Sequence, residues 1–272
     1  RNFDGLVAVY EFDARLKALF YPVVMEIETA FKNYVLEILI DTVRSDNFQD
    51  IYYKALDDYK RFAAEDNRGR GESAFKKAFK RRLDLRNRIY KIQTDAYANE
   101  NKIANHYLGR DEALPIWAFF ELLSLGEFGH FVSCLNQGCR QAISRKLGIR
   151  QGDDTAGTLP QRLIFAAKDL RDDVVFDTRF KKSHIDKQIG GAISHVSGIQ
   201  EIRFVTVTDY LALVIYELKM IRTPKTRLKM FIADFEDICD AFRKAVPDSL
   251  YRQVIYTDDD RKIRQLKAYA AQ

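Results

Sequence analysis

Apolar residues recur at steps of three and four along almost the whole chain, the period of helices with one buried face. Leu6, Val9, Tyr10, Phe12, Leu16, Leu19 and Phe20 mark the first such segment. Pro22 then suits the first turn of a second helix, because it has no N–H to lose there. That helix is predicted to run from 23 to about 40, burying Val24, Ile27, Phe31, Tyr34, Val35, Ile38 and Leu39. Residues 48–62 read as a third helix, and the mixed-charge, glycine-containing stretch 65–72 as a loop. Residues 73–108 are helical, basic at first and later spaced by Tyr90, Tyr97 and Tyr107. Leu114-Pro115-Ile116-Trp117 opens the most apolar helix, running to 125 with Gly126 as its stop, and 128–147 follows.

After a loop at 148–158, Pro160 starts another helix, and Gly190, Gly191 and Gly198 interrupt the chain. Residues 204–208 suit either a short strand or the approach to a helix at 209–220 capped by Thr208. Pro224 opens a helix through Phe231, Phe235, Ile238 and Phe242, and 258–271 close the chain as a charged helix. The pattern predicts an all-α fold of about ten helices. It reads as one domain over 1–272, with 221–272 as additional C-terminal helices.

Composition narrows the class. Apolar residues at 47 % and charged residues at 31 % describe a globular chain, and no apolar run approaches the ~18 residues a membrane span needs. A cytoplasmic protein without a membrane partner is expected. Arg1 is not an initiator Met, so the start is read as internal. Cys134, Cys139 and Cys239 are odd in number and lack zinc spacing, which fits reduced thiols.

The net charge of +5 permits a nucleic-acid partner without requiring one. Its distribution says more: Lys76, Lys77, Lys80, Arg81, Arg82, Arg86 and Arg88 fall within 13 positions, with Asp84 the one acid among them. Such a run is either a solvated helix face or a phosphate-contacting one. His106, His130, His184 and His195 are scattered, and no zinc helix, nucleophile elbow, Walker loop or dinucleotide fingerprint is present. No metal or cofactor is expected.

Three segments carry a resemblance. Val9-Tyr10-Glu11-Phe12-Asp13-Ala14-Arg15-Leu16 with Val24-Met25-Glu26-Ile27-Glu28 resembles the paired opening helices of the Abi (abortive infection, AbiD/AbiF-like) family. Leu114-Pro115-Ile116-Trp117 followed by Glu121 and Ser124-Leu125-Gly126 is similar to its most recognisable signature. The third is Phe165-Ala166-Ala167-Lys168-Asp169-Leu170-Arg171 and the stretch through Phe180, where the family has Leu-Arg-Asn, a His, and a later apolar-Arg-Phe. Leu114 and Trp117 are read as core packing, and Glu121 and Glu26 as buried acids that pair an Arg.

The resemblance implies a HEPN-like helical bundle whose N-terminal segment is missing here, and a role in bacterial defence against phage. It implies an RNA-directed, metal-independent endoribonuclease toxin. In that chemistry an Arg at a helix end stabilises charge on the phosphate and a nearby His transfers the proton. Arg171 takes the first role and Asp172 stands beside it as the other catalytic candidate. RNA is the expected substrate, a non-coding RNA a further partner, and a homodimer is expected to meet near Arg171. Lys76, Lys77, Lys80, Arg81, Arg82, Arg86, Arg179, Lys181 and Lys182 are the RNA-binding candidates.

One departure matters. Arg171 is followed by Asp172-Asp173-Val174-Val175-Phe176, with neither the Asn nor the His. Aligned without a gap, Phe176 replaces the His and Asp172 the Asn. The gapped alignment, which keeps the downstream Arg179-Phe180 match, is preferred; it lacks a short segment between Arg171 and Asp172. The alternative function is a catalytically inactive RNA- or antitoxin-binding helical module. A third reading is a helical interaction protein with no nucleic-acid role.

Overall fold

The computed structural model describes residues 3–56, 70–176, 187–204, 206–255 and 259–272. Among them are thirteen helices and no strand, so the chain is all-α. They are α1 (Phe3–Val43), α2 (Phe48–Lys54), α3 (Arg70–Ala98), α4 (Lys102–Leu108), α5 (Ile116–Leu122), α6 (Leu125–Ser133) and α7 (Gln137–Lys146). The later ones are α8 (Leu159–Phe176), α9 (Lys187–Ser197), α10 (Val207–Met220), α11 (Lys225–Ala245), α12 (Asp248–Val254) and α13 (Asp259–Ala271).

The chain divides into two compact units, one of residues 1–30 with 165–272 and one of residues 31–164. α1 and α8 each run from one unit into the other.

The first unit is built around α10, buried at every position from Val207 to Leu218. Its apolar residues fall on every side of the helix, which suits a central helix rather than a surface one. α1 enters with Phe12 stacked on Phe242 at 4.4 Å and Phe20 edge-on to Phe231 at 5.7 Å. Lys262 reaches Asp209 at 2.8 Å with both side chains largely covered, which ties α13 to the start of α10. The second unit centres on rings: Phe48 lies 5.1 Å from Phe119, and Phe120 meets Phe128 and Phe131 edge-on at 5.3 and 5.4 Å. Burying each such ring contributes about 2–3 kcal/mol, which binds α2, α5 and α6 together.

Helix boundaries differ from the periodic reading wherever a breaker proved tolerable or a cap proved decisive. Pro22 does not begin a helix; it lies inside a continuous α1 of 41 residues. It removes one bond to the Ala18 carbonyl, but Ala18 and Pro22 both face solvent, where water accepts the exchange. Phe20, Val23, Val24 and Ile27 stay buried on either side.

Gly126 does not stop the apolar helix either. Ser124 caps α6 through a reciprocal capping box with Glu127, so Gly126 falls within α6. Asn136 and Asn101 accept backbone N–H groups in the same way, splitting the expected 128–147 and 73–108 helices. Thr206, not Thr208, caps α10. Gly190 and Gly191 sit within α9, where a Cβ on Gly190 would collide with the Ile202 carbonyl oxygen. That glycine permits close approach rather than a break.

Candidate functional site

Arg171 lies on α8, whose start is held by a buried acid. Asp154 accepts the Thr158 and Leu159 backbone N–H groups at 2.8 and 3.0 Å and the Ser144 hydroxyl as well. From there α8 runs without a break through Arg171 and Asp172 to Phe176. The gapped alignment predicted a helix end at Arg171, with Asp172 on the far bank of a loop. The structure joins the two banks as one helix. No Pro or Gly interrupts the segment, and Lys168 braces it at i, i+4 with its ammonium 2.6 Å from Asp172.

The Arg171 guanidinium donates to Glu28 at 3.1 Å, and its other terminal nitrogen stands 3.5 Å from Asp172. Glu28 is only 7 % exposed. Among the described residues the partners of Arg171 are therefore acids. Lys168 also lies 3.4 Å from Asp169. Its ammonium is held above the ordinary lysine value, chiefly by the hydrogen bond to Asp172, against the opposing effect of burial. Asp172 is thus shared between two cations.

The signature residues fall in different places. Glu26 does pair an arginine: both terminal nitrogens of Arg227 donate to it, one at 2.7 Å. Leu114 is buried as expected, but Trp117 keeps 43 % of its surface and meets Tyr107 edge-on at 6.1 Å. Glu121, expected as a buried acid, faces solvent. The reason is local. α5 is only two turns long, and its buried surface is spent on Ile116, Ala118, Phe119 and Phe120, which leaves 117 and 121 together on the outer side.

The basic run lies on α3. Lys76, Lys77, Lys80, Arg81, Arg86 and Arg88 are exposed, while Leu85 and Ile89 face inward. Arg82 differs. It donates to the Tyr52 carbonyl at 2.7 Å, lies 4.6 Å over the Tyr52 ring, and its own carbonyl accepts the Tyr52 hydroxyl at 3.1 Å. These contacts fasten α2 to α3, and burial pushes the Tyr52 phenol up more than Arg82 and Arg86 pull it down. Arg81 is part-committed, donating to the Ser133 carbonyl at 3.0 Å.

Helical spacing adds residues that the charge run alone did not single out. Lys91 is exposed and eleven positions beyond Lys80, three turns along the same face. Phe79, Tyr90 and Tyr97 are exposed large rings on the adjacent shoulder, which also carries Arg86. His130 of α6 lies close enough to Arg88 and Arg81 for their charges to act on it. Partial burial first, then those two charges, hold its imidazole below the usual value. A wheel drawn through 76–97 would have found Lys91 and the rings; no sequence signal points to His130.

Arg179, Lys181 and Lys182 lie outside the described residues. Among the described residues no three His, Cys, Asp or Glu side chains gather as a metal site, and no helix is long and apolar enough to cross a membrane.

A family model described as Abi-like protein matches residues 1–172. The chain belongs to the Abi-like family. No curated protein and no solved structure matches it. The match to the Abi-like family runs from α1 to Asp172 on α8 and takes in the α3 face, Trp117 and the Arg171–Glu28 pair. Membership connects the chain with abortive infection, the defence of bacteria against phage.

Proposed function

We propose that this Abi-like protein serves phage defence by binding single-stranded RNA along α3, with Arg171 holding the fold rather than cleaving. The observation that carries the reading is the outer face of α3: Lys76, Lys77, Lys80 and Lys91 lie beside Phe79, Tyr90 and Tyr97. Cations spaced along a helix follow phosphates, and exposed rings stack on bases that a duplex would keep hidden. A HEPN-like Arg would have to leave Glu28 and Asp172 to meet a phosphate.

The test is fluorescence anisotropy with matched single-stranded and duplex RNA across a salt series. Tighter binding of the single strand, weakened by salt and by Tyr90→Ala, supports the reading. Binding that ignores salt overturns it, because phosphate contacts must release counterions.

A second reading, metal-independent cleavage, rests on His130. Ser133, which accepts from Arg81, donates to the His130 carbonyl at 2.6 Å, so a guanidinium is pinned one turn from the imidazole. A neutral His there could take the proton from a 2′-hydroxyl while Arg81 or Arg88 faces the phosphate. Cleavage in EDTA abolished by His130→Ala, and unchanged by Arg171→Ala, would select this reading. Loss with Arg171→Ala, in a variant that still folds, would restore the HEPN-type assignment.

A further inference from the structure

α1 has two apolar faces, and only one is used within its own unit. Phe12, Leu16, Phe20, Val24 and Ile27 are buried. On the opposite side Phe3 is 74 % and Tyr10 72 % exposed, and Tyr21 and Met25 keep 45 % and 36 %. With Val7, Ala14 and Ala18 these residues advance by steps of four, three, four, four, three and four, a spacing that keeps them in one stripe along a nearly straight helix for about 33 Å.

The series is symmetric about Ala14: Phe3 and Met25, Val7 and Tyr21, and Tyr10 and Ala18 are equally distant from it. We propose that this face of α1 is where a second copy of the chain docks, antiparallel, with the two-fold axis at Ala14.

Size and charge both select that occupant. Antiparallel docking sets each large Tyr10 against the small Ala18 of the partner, and Met25 against Phe3, a favourable sulfur–ring contact. Ala14 at the axis lets the helices approach closely. Glu11 and Arg15 lie exposed on one shoulder of the seam, and neither has an ion-pair partner among the described residues. A two-fold axis across the helices brings like shoulder to like shoulder, so each Glu11 meets the partner's Arg15 with an axial offset of about 3 Å. Parallel docking would instead set this shoulder against Asp13 and Lys17, which already close on each other at 2.8 Å. The stripe stops one turn short of Glu28, the partner of Arg171, and the contact does not depend on RNA binding.

The experiment is sedimentation equilibrium of the full chain, with circular dichroism to confirm folding. Wild type is expected to be dimeric, and Tyr10→Asp to weaken the dimer by about 100-fold or more because both copies lose a central ring. Glu11→Arg or Arg15→Glu alone should weaken it and the double swap restore it. In a Cys134→Ser background, Val7→Cys protein should form a disulfide with Tyr21→Cys protein. A monomeric wild type, a dimer indifferent to Tyr10→Asp, or Val7→Cys protein linking only to itself would overturn the proposal.

Discussion

Arg171 and Glu28 are 143 positions apart in the chain and 3.1 Å apart in the fold. The pair joins the start of the family match to its end and fastens α1 to α8 within one compact unit. Glu28 is buried, so its carboxylate needs a cation more than an exposed one would.

Removing that cation should therefore register as stability. Arg171→Ala is expected to cost about 1–3 kcal/mol in urea unfolding, with Arg171→Lys recovering part of it. RNA affinity of the folded Arg171→Ala protein should stay at the wild-type value; a large fall would place Arg171 at the RNA.

Reversing Lys76, Lys77 and Lys80 to Glu should flatten the salt dependence of RNA binding. If each meets one phosphate, the log–log slope falls by about 2. The side chains are exposed, so the melting temperature should change little. An unchanged slope would move the RNA elsewhere.

Asp154→Ala removes the acceptor for two backbone N–H groups and a hydroxyl at the start of α8. A loss of about 2 kcal/mol is expected, with hydrogen exchange rising first at Thr158 and Leu159. Exchange that rises evenly through the unit would show that Asp154 acts through general packing instead.

Glu217 sets a pH dependence. It is fully buried on α10, neither carboxylate oxygen has a hydrogen-bond partner among the described residues, and burial raises its pKa well above the ordinary value. A folded pKa above the unfolded one means stability is greatest below the unfolded value and falls as pH rises towards the folded one. The loss is about 1.4 kcal/mol per pH unit in that window. Glu217→Gln should abolish this slope and unfold at higher urea than wild type at pH 8. Parallel curves at pH 5 and pH 8 would contradict it.

His130 offers a local reading of the α3 face. Its imidazole is held down by burial and then by Arg88 and Arg81, so Arg88→Ala should raise its titration midpoint in an NMR pH series. No movement would separate His130 from the basic face.

Much of this protein was legible in the order of its residues. The all-α class followed from the three-and-four period, and the basic helix from seven cations in 13 positions. The family was visible in Leu114-Pro115-Ile116-Trp117 and the opening segments, and the match over residues 1–172 bears it out. Those properties are local, because period, charge run and signature each lie within one helix or two.

What the order could not decide depends on which surfaces meet. Pro22 passed as a helix start because its cost is set by whether Ala18 faces water, which only the fold determines. Trp117 looked like core and stayed half open because Ile116, Phe119 and Phe120 took the inward positions. Arg82 looked like its neighbours until Tyr52 and Tyr53 came up beneath it. Arg171 aligned with a catalytic position, and only the fold shows that Glu28, from the other end of the family match, stands beside it. The apolar period of α1 read as a single buried face that included Leu6 and Tyr10, and packing left both of them exposed.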